Sequence, residues 1–336
     1  MGTWNVGGKE PKEGIMLYEW LFPMGDMKTP DVYIIGFQEI VDLNAKNIVI
    51  SSNTSKVDFW KNLVIKHLER IDKYVIIKTL DLVGILLLVF VKETIKENVK
   101  NIDSQIVRTG MLGTMGNKGS CILRFNYNDT SLATACCHLS AGASNVSARI
   151  SEINDILNRT TSIKNSRFKD HDLQFIFGDL NFRIDLDYHT CKQMISSKSL
   201  EALTTYDQLN KAKSVSTSLI ELDEGQLSFD PTYKYIVGTS EYDFKKKRVP
   251  SWCDRILFKK CNKIEVIDYN RLHYSISDHK PIYGFFKITT TKVDSNLKNQ
   301  YLKEIKESLA VNMATVNDQY NDITSNFLIK RNYRPN

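Results

Sequence analysis

The 336-residue chain lacks the features that would place it among membrane-spanning, secreted or zinc-stapled proteins. Its longest apolar run, "LVGILLLVFV" at 82–91, is ten residues, half a membrane span, and is expected to be a core strand. No C-x-x-C pair occurs among Cys121, Cys136, Cys137, Cys191, Cys253 and Cys261, which argues against structural zinc. Their strand-like, apolar neighbours point to free, mostly buried thiols in a reducing compartment. No secretory n-region and h-region open the chain, and "MGTWNV" lacks the Ser or Thr at position 6 that a myristoylation signal wants, so a cytoplasmic location is expected. "TWNV" reads as a strand from the third residue, which leaves open a complete chain or a domain cut from a longer one. No Pro/Gly/Ser-rich linker divides residues 1–290, and internal repeats and low-complexity tracts are absent. One large domain, 1–291, followed by a separate element, 292–336, is the expectation.

Charge narrows the partner only slightly. Lys and Arg total 45 against 39 Asp and Glu, a net charge of +6 that favours an anionic partner. Nucleic acid, an acidic lipid surface and a phosphorylated small molecule all fit.

Strand-like runs recur at 31–38, 73–79, 82–91, 119–126, 131–139, 173–179, 254–260, 263–269 and 281–288, while helical periodicity appears at 58–71 and 147–163. Many strands with few intervening helices predict an α/β fold, a four-layer sandwich of two packed mixed β-sheets flanked by helices, over a doubly wound parallel sheet. Beyond Lys292, Leu297, Tyr301, Ile305, Leu309 and Met313 recur four apart, the spacing of one helix face. Such an amphipathic helix either docks on the domain or leads to another module.

The polar residues lie where strands stop. "TWN" ends in Asn5, "DVYIIGFQE" in Glu39, "ATACCH" in His138 and "FIFGD" in Asp179, and Asp278 and His279 stand in "SDHKPI". Singly, each has an ordinary explanation as a turn residue, a solvated strand end or a core histidine. Five strands ending alike at one rim would bring together a metal carboxylate, phosphate-binding imidazoles and amides, and a water-activating aspartate. A hard cation such as Mg2+ takes oxygen ligands and keeps several waters, so Glu39 with Asn5 suffices to hold it.

These segments also carry a resemblance. "TWNVGG", "DVYIIGFQE", "MLGTMGNKGS", "CCHLSAG", "FIFGDLNFRID", "FDPTYKY", "VPSWCDRIL" and "SDHKPI" resemble, in order, the motifs of the inositol polyphosphate 5-phosphatase catalytic domain, within the Mg2+-dependent endonuclease/exonuclease/phosphatase superfamily. "GDLNFRI" with "SDH" indicates only the superfamily, whereas "PTYKY" followed by "RVPSWCDRIL" is specific to the 5-phosphatases. The resemblance implies hydrolysis by in-line attack of water, and the Cys-x5-Arg signature of cysteine phosphatases is missing. It implies that Glu39, helped by Asn5, holds Mg2+, that Asp179 activates the water, and that Asn181 contacts the nucleophile and a phosphate oxygen. His279 would donate to a non-bridging oxygen, Asp254 would hold that imidazole oriented and protonated, and His138 would be a second donor. For Arg183, a structural salt bridge beneath the site is preferred over substrate contact.

By the same resemblance Tyr233, Lys234 and Arg248, with Lys246 nearby, would grip a 4-phosphate, and Asn117 and Lys118 would serve the phosphate side of the loop 110–119. Met111 and Leu112 in that loop would either touch acyl chains or pack in the core. The lysines at 245–247 would assist docking on anionic membrane. Gly142 in "HLSAG" resembles the synaptojanin-type branch, and Thr114 stands where some members have lysine. The implied substrates are phosphoinositide lipids, such as the 4,5-bisphosphate and 3,4,5-trisphosphate, and soluble inositol polyphosphates, met at the cytosolic face of membranes. A nuclease or a phosphodiesterase of the same superfamily would share the metal apparatus, but would not need "PTYKY", and no basic stripe interleaved with aromatics suits nucleic acid. Nothing argues for an oligomer, so a monomer is expected.

Overall fold

The computed structural model describes residues 1–9, 15–25, 29–41, 54–109, 115–159, 166–243, 245 and 248–332, the side chains of 115–117 and 322–332 excepted. In chain order the first half holds β1 (Gly2–Asn5), α1 (Tyr18–Leu21), β2 (Val32–Gln38), α2 (Thr54–Leu68), β3 (Tyr74–Leu82), β4 (Ile85–Lys92), β5 (Val99–Thr109), β6 (Met115–Tyr127), β7 (Thr130–His138) and α3 (Val146–Asn158). The remainder holds β8 (Leu173–Asp179), α4 (Tyr188–Ser196), α5 (Leu200–Thr204), α6 (Gln208–Val215), β9 (Leu222–Glu224), β10 (Asp254–Lys259), β11 (Ile264–Arg271), β12 (Ile282–Ile288) and α7 (Ser295–Asn332).

Two six-stranded mixed sheets result, ordered β11-β12-β1-β2-β4-β3 and β5-β6-β7-β8-β10-β9. Each contains one parallel pair, β1 with β2 and β7 with β8. Side-chain alternation sorts the apolar residues into three layers. Leu87 and Val89 of β4 join Phe175 and Phe177 of β8 between the sheets. Leu86 and Leu88 point the other way, onto Trp60 of α2. On the far side, Ile176 of β8 packs with Ile153 and Ile156 of α3. Helices therefore cover both outer faces of the pair of sheets, the four-layer sandwich that the strand count predicts.

The run 82–91 is not one strand. β3 ends at Leu82, Val83 takes a positive φ of 50°, and β4 starts at Ile85, so the run turns a hairpin corner. Its continuous hydrophobicity follows from β4 being covered on both faces, which removes the polar alternation of a half-exposed strand. Five of the cysteines are buried free thiols, and Cys261 is half-buried.

Wholly buried Arg255 of β10 donates from Nη1 to Asp207 Oδ1 at 3.0 Å and from Nε to Glu224 Oε2 at 2.8 Å. This ties the start of α6 to neighbouring strands β9 and β10, the second of which carries Asp254. The structure divides into two compact units, Met1–Thr290 and Thr291–Asn336. Within the second, α7 exposes Leu297, Tyr301, Ile305, Leu309 and Met313. Among the described residues no helix is long and apolar enough to cross a membrane.

Candidate active site

Strand direction explains why the polar residues meet. β1 and β2 run parallel, with Asn5 opposite Gln38, so Asn5 and Glu39 leave the sheet at the same end. In the other sheet β7 and β8 are parallel and His138 pairs with Asp179. β10 is antiparallel to β8, which sets Asp254 opposite Asp179. Asp278 and His279 do not end a strand, as the spacing suggested, but precede β12. Because β12 is antiparallel to β1, its start lies at that same rim.

The geometry is tight. Asn5 Nδ2 donates to Asp179 Oδ2 at 3.0 Å and to Glu39 Oε1 at 3.1 Å, joining the two sheets across the rim. His138 Nε2 lies 3.4 Å from Asp179 Oδ2 and 3.6 Å from Glu39 Oε1, and also contacts Lys118 Nζ. His279 Nε2 is 3.9 Å from Asp179 Oδ2, and its Nδ1 meets Asp254 Oδ2 at 2.9 Å. Thr232 Oγ1 donates to that same Asp254 oxygen at 2.6 Å. Asn181, at a positive φ of 58°, donates its backbone N–H to Asp179 Oδ1 at 3.1 Å and its amide to Leu139 O at 3.0 Å.

Burial and charge compete at each group. Burial alone would raise the Asp179 carboxyl, but His279, His138 and Lys118 outweigh it and hold the group well below the carboxylate range. Burial would likewise neutralise His279, yet Asp254 and Asp179 push its pKa up to about 9. Asp254 is raised by burial, against the pull of His279. The neutral-pH state is therefore an ionised Asp179 beside an imidazolium oriented by Asp254. Two buried atoms here, Asp254 Oδ1 and His138 Nδ1, lack a hydrogen-bond partner among the described residues.

Ligand atoms of Asp179, Asp254 and His279 lie within 4.8 Å of one another, close enough to hold a metal ion. A protonated imidazole is no ligand, however, so among these three the oxygens are the donors suited to a hard cation.

Tyr233 continues the site on the side of His279, with ring centroids 4.4 Å apart. Arg248 donates to its hydroxyl, and Arg183 stacks on its ring at 4.4 Å. Lys234 Nζ sits 2.6 Å from Asp278 Oδ2. The expectation for Arg183 is corrected: among the described residues it has no carboxylate in ion-pair range and donates instead to Asn181 Oδ1 at 2.5 Å. An arginine needs a planar acceptor or an aromatic face as much as a counter-ion, and Tyr233 supplies the face. Met111, Leu112, Thr114 and Lys246, and the side chain of Asn117, lie outside the described residues.

Sequence reasoning missed the supports. Wholly buried Arg149 of α3 donates to Ser140 O at 3.0 Å and Gly142 O at 2.6 Å, and Glu152 accepts from Ser140 N at 2.9 Å and Ser140 Oγ at 2.7 Å. Together they clamp the loop that follows His138. A buried Arg and Glu three apart on an otherwise apolar helix face were the available signal. Thr232 stood within "PTYKY", and only the fold shows it facing Asp254.

The family model described as endonuclease/exonuclease/phosphatase family 2 matches residues 2–285. The chain belongs to this family. Among its curated relatives, the polyphosphatidylinositol phosphatase INP53 of Saccharomyces cerevisiae is 34% identical over 91% of this chain and 28% of its own length. The type II inositol 1,4,5-trisphosphate 5-phosphatase of Mus musculus is 35% identical over 92% of this chain and 31% of its length. The chain thus spans under a third of the length of either relative. Among solved structures, the inositol polyphosphate 5-phosphatase domain of SPsynaptojanin, in complex with inositol (1,4)-bisphosphate and a calcium ion, is 32% identical, with a TM-score of 0.79 and coverage of 91% of both chains.

Proposed function

We propose that this chain is a Mg2+-dependent phosphoric monoester hydrolase that removes the 5-phosphate from phosphoinositide lipids and soluble inositol polyphosphates. The observation that carries this reading is the junction of two apparatuses at one rim: an Asp179–His279–Asp254 relay, and Tyr233 beside it with cationic Lys234 and Arg248. A metal phosphoesterase of any specificity uses the first, while the second suits a further phosphate on the substrate.

Glu39, with Asp179 adjacent, offers the carboxylate oxygens that would hold Mg2+, helped by Asn5, whose Nδ2 donates to both and sets their spacing; when bound, the ion neutralises charge on the scissile phosphate. Asp179 accepts hydrogen bonds from Asn5 and stays ionised at neutral pH. Its low proton affinity makes it better at aligning the attacking water than at keeping the water's proton. His279, kept protonated by Asp254, donates to a non-bridging phosphate oxygen as charge builds there. His138 stands opposite as a second contact, and Asn181 turns its backbone to hold Asp179 in place.

Lys234 and Arg248 favour substrates that keep a 4-phosphate, and Lys246 extends the same basic segment. The bisphosphate carried by the SPsynaptojanin domain, phosphorylated at positions 1 and 4, is what would remain after a 1,4,5-trisphosphate lost its 5-phosphate, which supports this orientation. Asn117 and Lys118 serve the phosphate side, Met111 and Leu112 meet acyl chains, and the enzyme works as a monomer on the cytosolic face of anionic membranes.

The test is phosphate release, with Mg2+ and with a chelator, from 4,5-bisphosphate and 3,4,5-trisphosphate lipid vesicles, soluble inositol 1,4,5-trisphosphate and abasic DNA. Mg2+-dependent release of the 5-phosphate, with DNA intact, is expected. DNA cleavage without release from any inositol substrate would overturn the proposal.

A further inference from the structure

Lys280, next to His279, is fully buried, and among the described residues it has no carboxylate within ion-pair distance. Burying an ammonium without a counter-ion is costly, so its placement calls for an explanation. Its Nζ donates to Thr239 O at 3.0 Å and lies 4.6 Å from the centroid of the Tyr235 ring. Both partners belong to a short hairpin. Asp243 N donates to Lys234 O and Ile236 N to Glu241 O, each at 2.8 Å, while Tyr235 and Tyr242 stack with centroids 4.3 Å apart. Thr239 sits at the hairpin's tip, Lys234 at its base, and Arg248 shortly beyond its return.

Three consecutive residues thus divide three tasks. Asp278 takes Lys234 Nζ, His279 takes Asp254, and Lys280 reaches the tip of the hairpin. Backbone bonds fix the register of the two segments, with Lys280 N on Thr232 O and Tyr235 N on Asp278 O, each at 2.9 Å. The ring of Tyr235 provides a negative face for the ammonium in place of a carboxylate.

We infer that Lys280 is a positioning residue for substrate recognition: it locks the 234–243 hairpin to the segment bearing His279, so that Lys234 is held at a fixed offset from the catalytic imidazole. The inference rests on the proposed role of Lys234 toward a second phosphate. Lys280 touches no reacting atom; its contribution is that Lys234 does not have to be ordered when substrate arrives. A purely structural role would affect all substrates alike, whereas a positioning role acts on those whose second phosphate reaches Lys234.

The experiment compares the full chain with K280M, K280R, Y235L and K234A. The substrates are soluble inositol 1,4,5-trisphosphate and a soluble inositol phosphate that carries the 5-phosphate but no 4-phosphate. K280M is expected to raise KM for the trisphosphate about tenfold, the order of one lost charged hydrogen bond, with kcat within about twofold. The substrate without the 4-phosphate should be unaffected, and K280R should restore most of the loss. Equal losses on both substrates, or an unchanged KM for the trisphosphate, would overturn the inference. If K280M fails to fold, Y235L carries the test: a selective KM rise supports the lock, and its absence refutes it. K234A separates the two levels. Equal losses on both substrates in K234A would remove the 4-phosphate reading itself, whereas a K234A loss confined to the trisphosphate with a silent K280M would remove only the role of Lys280.

Discussion

Replacing Asp254 with Asn should change the pH at which the enzyme works, not only how fast it works. In the folded chain His279 is raised from 6.5 to about 9 although burial opposes its charge, and Asp254 is the foremost of the carboxylates responsible. That rise corresponds to about 3 kcal/mol in favour of the imidazolium. The favourable contribution to folding is complete below pH 6.5 and is lost as pH climbs through about 9. With Asn at 254 the hydrogen bond at Nδ1 can persist while the charge is gone, so the pKa of His279 should fall from about 9, with Asp179 and Asp278 still holding it up in part. The variant would then give up the proton at a lower pH than the parent, which holds nearly all of it at pH 7.5. The assay is kcat/KM for soluble inositol 1,4,5-trisphosphate between pH 5.5 and 9.5, at about half-unit steps, as the ratio of variant to parent. Taking the ratio cancels the titration of the substrate's own phosphates. A deficit that deepens as pH rises, by up to about tenfold for each unit by which the pKa falls, is expected. A deficit constant with pH would refute the claim that Asp254 acts by keeping His279 protonated, and would leave it an orienting role alone.

Asp179→Ala should cost about 10³-fold or more in kcat while substrate binding stays measurable by calorimetry; turnover within about tenfold of the parent would contradict its placement on the attacking water. Glu39→Gln should raise the Mg2+ concentration for half-maximal activity at least about tenfold, since a hard cation loses its half-buried carboxylate; an unchanged metal titration would move the metal away from Glu39. Asp207→Ala leaves the wholly buried Arg255 with Glu224 as its one carboxylate partner among the described residues. It should cost about 3 kcal/mol and lower the Tm by about 5 °C in a thermal scan, and a Tm within about 1 °C would show that Glu224 and solvent compensate.

Much of this site was legible in the sequence because each of its parts is a short local pattern: an apolar strand followed by one polar residue. Asn5, Glu39, His138 and Asp179 all stand at such boundaries, and a strand boundary is a local property of the chain. Asp278 and His279 were placed at a strand end because a polar cluster beside an apolar run looks the same from either side; only the antiparallel pairing of β12 with β1 sets the direction. The β3–β4 corner was hidden because Val83 is a strong strand former that takes a turn conformation under tertiary constraint. β5 was missed because its apolar residues are sparse, consistent with an edge strand whose one neighbour in the sheet is β6. Arg149 and Arg183 could not be assigned because their partners are backbone carbonyls and an aromatic ring distant in sequence, which no spacing rule anticipates.

The two sheets are near copies in their ordering. Read outward from each parallel pair, both have an antiparallel pair on one flank and an antiparallel pair on the other, so β1 corresponds to β8, β2 to β7 and β12 to β10. Asn5 then matches Asp179 and Gln38, one residue before Glu39, matches His138, while His279 meets Asp254 across the rim. A pseudo-twofold arrangement of this kind divides the labour between halves that carry unlike side chains at like places. It also sets a timetable. β12 is the last strand in chain order, and until it pairs with β1 the imidazole donor is missing and β1 remains an open sheet edge. Hydrolytic competence therefore cannot precede closure of the whole sandwich, and recovery of activity on refolding reports the docking of that final strand.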